Sequence, residues 1–264
     1  MQQNGRRKHV YRVFEQTMTD QQLQKFYDAV NSSRHIVFFG GAGVSTESGI
    51  PDFRSADGLY NQTYKYPLEE ILSADFFYRH TELFFKFYRE KMIFADSKPN
   101  VTHFALAALE RAGKLSAVVT QNIDGLHQAA GSKNVLELHG TVHSNHCVKC
   151  LKRYGLDAIM QSEGVPRCKC GGVIKPDVVL YGEQLPQSAV RGAIEAIYQS
   201  DCLIVGGTSL TVYPAAGFVN YFRGNDLILI NKQATPLDKQ ASITLHCGLG
   251  QAFRHILEEY DDKN

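Results

Sequence analysis

Short apolar runs rich in β-branched residues alternate along the chain with stretches of helical periodicity. The predicted strands are residues 35–39, 117–120, 135–138, 202–205 and 227–230. Because these runs are apolar on both faces, they are typical of a parallel sheet that helices cover on both sides. The predicted helices between them include 102–113, which ends at Gly113, and 187–199. The alternation predicts an α/β fold, a Rossmann-like parallel sheet with ligands at the carboxyl ends of its strands.

Two stretches interrupt the alternation of strands and helices, and they predict a smaller lobe inserted into the large α/β domain. Residues 60–98 are rich in aromatic side chains at helical spacing, and residues 143–172 hold four of the six cysteines. We therefore expect a small domain with a helical part and a cysteine-containing module. The predicted bounds are 1–55, 101–140 and 180–264 for the large domain, and 56–100 and 141–179 for the small one.

The composition narrows the classes of protein to which the chain can belong. It has 264 residues, 44% of them hydrophobic, which is enough for one large core and an insert. Its 28 Lys and Arg residues nearly balance its 27 Asp and Glu residues, so we expect no nucleic-acid partner. The apolar runs are too short to cross a membrane and no leader is recognisable, so we predict a cytoplasmic protein without a membrane partner.

The cysteine spacing predicts a structural zinc site in residues 141–179. The clustered cysteines are Cys147, Cys150, Cys168 and Cys170. Thiols stay reduced in the cytosol, so a disulfide framework is not expected. Four thiolates around one ion leave no position open for a reacting water, which is typical of a structural site. The second cysteine pair is one residue shorter than the usual spacing, so His143 and His146 are the alternative ligands.

A glycine-rich turn follows the first predicted strand. Its candidate cofactor-binding residues are Gly41, Ala42, Gly43 and Thr46. Glycines let a backbone approach a pyrophosphate closely, and a helix that follows would present free N–H groups to it. Thr46 stands where the usual dinucleotide fingerprint has its third glycine, so a turn that serves packing alone is the alternative.

The segment after this turn carries an acid, an aromatic ring and a guanidinium, at Asp52, Phe53 and Arg54. Gly49 and Pro51 keep the segment from forming an ordinary helix. We interpret it as a loop that folds over a ligand. Phe53 is suited to cover a flat ring, and Arg54 is suited to meet phosphate or ribose oxygens.

Four later predicted strands end in polar or small residues. The candidate ligand-binding residues at these ends are Gln121, Asn122, Ile123 and Asp124, then His139, then Gly207, Thr208 and Ser209, and finally Asn231 and Lys232. Carboxyl strand ends meet at one edge of a parallel sheet, so these residues are predicted to converge on one ligand. Each motif alone has a structural alternative, such as helix capping by Asn122 or Asp124.

Together these motifs resemble the sirtuins, the family of NAD-dependent protein deacylases, in their bacterial type. The matching segments are GAGVSTESGIPDFR, QNIDGLH, the pair His139-Gly140, KPDVVLYGE, GTSL and the paired cysteines, in the family's order from about residue 38 to about residue 231. The resemblance implies NAD as a co-substrate and zinc as a structural ion. It also implies that the chain removes acyl groups, acetyl first, from lysines of proteins or peptides. The sequence does not predict the oligomeric state, and a monomer is the working expectation.

The resemblance also assigns roles to residues. His139 is the implied general base, which deprotonates a ribose hydroxyl after nicotinamide has left and the acyl oxygen has attacked the ribose carbon. Asn122 and Asp124 are implied to hold nicotinamide and ribose in the reactive pose, and Phe53 to exclude water. Leu249 is a further NAD-binding position, on the adenine side. The implied peptide-binding strand residues are Val178, Val179, Tyr181 and Gly182.

Other functions stay open at this stage. Family members that prefer acidic acyl chains carry a tyrosine and an arginine three residues apart, and this chain has Tyr88 and Lys91. Removal of succinyl or malonyl groups is therefore one alternative, although a lysine lacks the fork of a guanidinium. Protein ADP-ribosyl transfer and a non-catalytic NAD-sensing module are two more. The presence of His139 and of the intact 49–54 loop disfavours ADP-ribosyl transfer, and His139 together with the 121–124 motif disfavours the non-catalytic module.

Overall fold

The computed structural model describes residues 19–53, 58–62 and 64–261. Its strands are β1 (Ile36–Gly40), β2 (Leu115–Thr120), β3 (Val135–Glu137), β4 (Gly140–Cys147), β5 (Arg153–Tyr154), β6 (Ile174–Val178), β7 (Cys202–Gly206), β8 (Asp226–Ile230) and β9 (Ile243–Leu245). Its helices are α1 (Asp20–Ser32), α2 (Leu68–Ile71), α3 (Ala74–Arg79), α4 (Thr81–Lys91), α5 (Val101–Arg111), α6 (Leu126–Ala129), α7 (Asp157–Met160), α8 (Gln187–Gln199) and α9 (Leu249–Asp261). None of the helices in the described ranges combines the length and the apolar character that spanning a membrane requires.

The main sheet has six strands in the order β3-β2-β1-β7-β8-β9, and all its pairings are parallel. This confirms the predicted Rossmann-like α/β fold. The chain leaves β1 for β2 on one side and later returns to β7 on the other side, so the turn after β1 lies where the strand order reverses. Ligands of open α/β sheets bind at such a point. Of the six strands of this main sheet, only β9, a three-residue strand at its edge, was not predicted.

Both faces of the main sheet are covered, as its uniformly apolar strands require. Neighbouring residues of β1 point to opposite faces: Phe38 packs in one core cluster and Phe39 in another. Helices α5 and α9 pack together over the Phe38 face, where the rings of Phe38 and Phe253 meet edge to face at 5.9 Å. Helix α8 and a 3₁₀ segment at Ala215–Tyr221 cover the other face. The sheet is therefore buried on both sides.

The inserted stretches form a second, smaller core. Strands β5, β4 and β6 make a three-stranded antiparallel sheet, and α3 and α4 supply aromatic rings. Phe77, Phe84 and Tyr88 belong to the same hydrophobic cluster as Cys147 and Cys168. The helical part and the cysteine module thus share one core. The bounds given above for the two domains stay a prediction.

Two local expectations were wrong. The glycine turn is followed by two short 3₁₀ turns, Ala42–Val44 and Thr46–Ser48, and not by an α-helix. The left-handed backbone of Gly49 ends the second turn, and Asn100 Nδ2 donates to the carbonyl of Val44 at 2.8 Å. The expected peptide-binding strand also ends early, because β6 stops at Val178 and the following residues form only an isolated bridge, at Tyr181.

Candidate functional site

The carboxyl ends of five main-sheet strands open on one cleft of about 1290 Å³. The predicted cofactor-binding residues that line it are Ala42, Gly43, Thr46, Asp52, Phe53, Gln121, Asn122, Ile123, Asp124, His139, Gly207, Thr208, Ser209, Asn231, Lys232 and Leu249. The predicted peptide-binding residues in its wall are Val178, Val179, Tyr181 and Gly182. Arg54 lies outside the described residues. The structure therefore brings these predicted segments together at one cleft, and their binding roles stay a prediction.

Gly41 alone among the described candidates does not line the cleft. A Cβ at this position would lie 2.7 Å from Thr208 Cβ and 2.9 Å from the Gly207 carbonyl oxygen. Gly43 approaches Gly207 in the same way, since its Cβ would lie 2.7 Å from Gly207 Cα. These glycines therefore bring the ends of β1 and β7 together, which is the packing role that the sequence left as the alternative for Gly41.

Ser45 links two of the predicted catalytic residues, although sequence reasoning gave it no role. Its hydroxyl donates to Asp124 Oδ2 at 2.6 Å and accepts from Asn122 Nδ2 at 3.0 Å. The other carboxylate oxygen of Asp124 accepts from the backbone N–H of Leu126 at 2.9 Å. Ser45 is 1% exposed. Both side chains are therefore fixed in orientation before any ligand binds.

His139 is half-buried in the cleft wall, and one of its ring nitrogens is engaged. Nδ1 lies 2.9 Å from the carbonyl oxygen of Gln121. A carbonyl only accepts, so Nδ1 carries the proton and the neutral ring has its lone pair at Nε2. Burial lowers the pKa of His139, and the bond to the Gln121 carbonyl opposes that shift. The ring is thus a neutral proton acceptor with a fixed orientation.

Two further histidines, on helices α5 and α6, have a buried arrangement that the sequence did not predict. The rings of His103 and His127 are 4.7 Å apart and both are buried. Among the described residues, His103 Nε2 and both ring nitrogens of His127 have no hydrogen-bond partner. Burial lowers the pKa of His103 to about 4 and lowers the pKa of His127 well below its ordinary value. Both rings are therefore neutral near pH 7.

The far end of the cleft is formed by the end of β8, the loop after β9 and the start of α9. His246 Nδ1 lies 3.3 Å from the Asn231 carbonyl oxygen, and His246 Nε2 lies 3.1 Å from Asp238 Oδ2. Glu47 accepts from the backbone N–H of Gly250 at 3.1 Å, which places a carboxylate at the N-terminus of α9. Contacts between residues this distant along the chain leave no local signal in the sequence.

The predicted peptide-binding segment is held in place by a buried ion pair. Lys175 Nζ lies 3.1 Å from the carboxylate of Glu183, and the lysine side chain is 8% exposed. Lys175 also donates to the carbonyls of Pro176 and Val178, at 3.2 and 3.5 Å. The Glu183 carboxylate in turn accepts from the backbone N–H of Leu180 at 2.9 Å. This network closes the turn that contains the segment.

The same segment is hydrogen-bonded to His139, between β3 and β4, and to the small lobe. The backbone N–H of Val179 donates to the carbonyl of His139 at 2.9 Å. Tyr181 exchanges backbone hydrogen bonds with Leu72 and Ala74, at 2.9 and 3.0 Å. The segment is therefore positioned from both lobes.

Tyr88 and Lys91, the residues considered for acyl-chain choice, also line the cleft. The Tyr88 hydroxyl is buried and has no hydrogen-bond partner among the described residues. Lys91 Nζ donates to Gln62 Oε1 at 3.2 Å. The Tyr88 hydroxyl is therefore an unpaired hydrogen-bond donor in the cleft, whereas the Lys91 ammonium already has a partner.

The four predicted cysteine ligands form one compact cluster. Their Sγ atoms all lie within 4.8 Å of one another, with Cys147 and Cys170 3.5 Å apart and Cys150 and Cys168 3.6 Å apart. Thiolates about 2.3 Å from a tetrahedral zinc are separated by about 3.8 Å, so the cluster fits that ion. A Cβ at Gly172 would lie 2.6 Å from Cys147 Sγ, so a glycine there allows the short pair to close.

The alternative zinc ligands are engaged elsewhere. His143 Nε2 lies 2.9 Å from the carbonyl oxygen of Asp124, and His146 Nδ1 is paired with the carboxylate of Asp177. The cysteines alone therefore fit the metal among the described residues, and they would hold it as a structural ion between β4 and the loop before β6.

Comparison with known proteins gives a consistent result. The Sir2 family model matches residues 41–214. A protein of Clostridium acetobutylicum named NAD-dependent protein deacetylase is 57% identical over 232 residues, which are 86% of this chain and 95% of that protein. One of Clostridium perfringens with the same name is 54% identical over 90% of this chain and 100% of its own length.

Comparison with solved structures also gives Sir2 proteins. A Sir2 structure with a p53 peptide and NAD⁺ is 42% identical and superposes with a TM-score of 0.79 over 91% of this chain and 99% of its own. A Sir2 structure bound to an acetylated peptide is 41% identical, with a TM-score of 0.79 over 90% of this chain and 98% of its own.

Proposed function

We infer that this chain, which belongs to the Sir2 family, is an NAD-dependent protein deacetylase. It transfers the acetyl group of an acetyl-lysine to ADP-ribose and releases nicotinamide, O-acetyl-ADP-ribose and free lysine. The observation that carries the inference is the convergence of five strand ends on a single cleft, with the His139 ring fixed in its wall.

His139 acts as the general base in this reaction. Once nicotinamide has left and the acetyl oxygen has bonded to the exposed ribose carbon, a ribose hydroxyl must lose its proton to attack the acyl carbon. The Nε2 lone pair takes that proton, because Nδ1 is held by the Gln121 carbonyl. The lowered pKa of His139 keeps the ring neutral, and hence able to accept, at pH 7.

Asn122 and Asp124 orient the nicotinamide and its ribose. The hydroxyl of Ser45 locks both side chains, so the geometry exists before NAD binds. Phe53 lines the cleft beside them and excludes water, which would otherwise hydrolyse the electron-poor ribose carbon. The acetylated peptide lies along Val178–Gly182, and backbone contacts there give affinity with little selectivity for sequence.

Two finer proposals accompany this function. Removal of succinyl or malonyl groups stays an alternative specificity, because the unpartnered Tyr88 hydroxyl lines the cleft and is free to bind an acyl carboxylate. We also propose that the protein works as a cytoplasmic monomer without nucleic-acid or membrane partners, in keeping with its net charge of +1.

The test is an assay of nicotinamide release with NAD and matched acetyl, succinyl and malonyl peptides. Deacetylation predicts that nicotinamide and O-acetyl-ADP-ribose appear in equal amounts, and only when acetyl-lysine is present. His139→Ala should lower kcat by about 10²–10⁴-fold, as expected for loss of a general base. His35→Ala, an exposed histidine at the opposite end of β1, is the control.

Each competing function gives a different product. ADP-ribosyl transfer would attach ADP-ribose to the peptide. A non-catalytic module would bind NAD and release no nicotinamide with any acyl peptide. Either result would contradict the deacetylase assignment.

A further inference from the structure

A second depression lies beside the cleft, on the outer surface of α8. Its volume is about 830 Å³. The apolar residues that line this α8 groove are Leu185, Val190, Ile194, Tyr198 and Pro214. Leu185 and Pro214, together with Glu183, line the cleft as well, so the groove is continuous with it.

The floor of the groove comes from a second apolar stripe on α8. Ala193 and Ile197 are fully buried and form the face of the helix that packs on the sheet. Val190, Ile194 and Tyr198 recur at intervals of four residues, so they form an adjoining stripe on one side of the helix. Tyr198 is 61% exposed. Val190 and Ile194 also pack partly against the core on this face of the sheet, but the stripe stays accessible, and an apolar surface beside a cleft is typical of an interaction site.

The rim of the groove is charged, whereas its floor is apolar. Arg191 and Glu195 lie on the same helix, line the groove and are exposed to solvent. An apolar centre with a polar border is the usual arrangement of a protein recognition surface.

We propose that the α8 groove binds the substrate protein's own chain a few residues beyond the acetylated lysine, and that it takes an apolar side chain of that segment. The inference rests on the proposed function, because it requires the acetyl-lysine chain to lie along Val178–Gly182. A chain in the cleft must leave it, and the shared residues Glu183, Leu185 and Pro214 provide an exit onto α8.

The dimensions of the groove fit this occupant. Val190 and Tyr198 are eight residues apart on the helix, which corresponds to about 12 Å. An extended chain covers that distance with about four residues. A second copy of the chain is the competing occupant. Stable pairs of copies typically bury about 1,200–2,000 Å² on a self-complementary patch, whereas a groove that opens from the cleft suits a single extended segment.

The test compares two acetyl-lysine peptides with the same central sequence. The short peptide ends about two residues on either side of the acetyl-lysine, and the long peptide is extended on both sides far enough to reach Tyr198, with leucine placed in turn at each added position. In the wild-type protein, long peptides whose leucine reaches the groove should have a kcat/KM about five- to tenfold above that of the short peptide. A gain of this size is expected because the leucine side chain would be partly buried.

Substitutions in the groove should abolish that gain. Ile194→Glu places a charge on the floor, so the long peptide should fall to the kcat/KM of the short one, whose own value stays unchanged. Tyr198→Ala removes an exposed ring without disturbing the core and should reduce the gain in the same direction. Ser188→Glu, an exposed position of α8 outside the groove, is the matched control and should keep the gain.

The outcomes separate this proposal from the proposed function. The groove assignment would be overturned if the wild-type protein had the same kcat/KM for all peptides. It would also be overturned if Ile194→Glu lowered kcat/KM equally for short and long peptides. In both cases deacetylation of the short peptide would still stand. A wild-type dimer that Ile194→Glu converts to a monomer in sedimentation would assign the groove to a second copy and also overturn it. No turnover of any peptide would contradict the proposed function itself.

Discussion

The two sheets of this molecule are stabilised in different ways. Every residue of the central strands β1 and β7 is buried, so apolar burial on two faces holds the main sheet together. In the small sheet, β4 alternates between buried and accessible positions and β5 has no buried residue. Four thiols that fit one zinc ion compensate for this thin core. A large apolar core thus fixes the proposed catalytic residues, whereas a module that fits a metal ion holds the proposed peptide-binding side.

Removing the metal should have the largest effect and should act on one sheet only. Structural zinc contributes about 10–16 kcal/mol of apparent free energy in small modules, so Cys168→Ala should unfold β4–β6. Deacetylation should be lost with it, because β6 leads directly into the peptide segment. Zinc content, peptide turnover and far-UV circular dichroism test this. Cys202→Ala, a buried cysteine of β7, should keep the metal. Full activity of the metal-free protein would contradict the claim that the small sheet depends on zinc.

Acid should weaken the large core through its buried histidines. Burial holds the folded-state pKa of His103 at about 4, below the unfolded value of about 6.5. Because the unfolded chain then binds protons first, stability is complete above pH 6.5 and declines as the pH falls towards 4. Protonation of His103 should lower the free energy of unfolding by about 2 kcal/mol between pH 6.5 and 5, and His127 should add a loss in the same direction. Urea unfolding at pH 7 and pH 5 measures the loss.

A control variant identifies the source of this acid sensitivity. His103→Gln should flatten the pH dependence of the free energy of unfolding, whereas His35→Gln, at an exposed position, should not. An unfolding free energy that is the same at pH 5 and pH 7 in the wild-type protein would show that the two rings are not buried in neutral form.

Loss of the Ser45 hydroxyl should impair catalysis without unfolding either sheet. In Ser45→Ala the side chains of Asn122 and Asp124 lose the bond that joins them, so their pose for nicotinamide is less well defined. We expect kcat to fall about 10- to 100-fold, as for a small misplacement of reacting groups. Steady-state kinetics measure it, with Ser116→Ala on the exposed side of β2 as control. An unchanged kcat would remove Ser45 from the site.

Breaking the Lys175–Glu183 pair should have the smallest effect, confined to the peptide side. Lys175→Met leaves the Glu183 carboxylate without its buried partner and loosens the turn behind Val178–Gly182. The KM for the acetylated peptide should rise about tenfold, with kcat changed much less. Lys175→Arg keeps a cation at this position and should restore most of the affinity. A peptide KM that Lys175→Met leaves unchanged would contradict this positioning role.

Local patterns in the sequence were sufficient for the main architecture. The apolar runs gave β1, β2, β3, β7 and β8, and helical spacing gave α8 with the residues that the structure shows. The cysteine spacing was sufficient to predict the metal cluster. Because parallel strands share one carboxyl edge, these local elements also predicted that His139 and Asn122 would meet at one cleft.

The interactions that fix the site could not be predicted in this way. Ser45 and Asp124 are 79 residues apart along the chain, and nothing in the pattern around either residue indicates the other. His103 falls in the predicted helix 102–113 and His127 closes the QNIDGLH motif, and only the packing of α5 against α6 brings their rings together. The glycine turn was mispredicted because Gly49 and the tertiary contact of Asn100 overrule the expected helix.

The central claim is that separate strand ends surround one dinucleotide and place the His139 ring beside its sugar. A crystal structure with a non-hydrolysable NAD analogue and an acetylated peptide tests it most directly. The account predicts His139 Nε2 within about 3.2 Å of a hydroxyl of the nicotinamide ribose. A ring turned away from that ribose, or a dinucleotide bound outside the cleft, would contradict it.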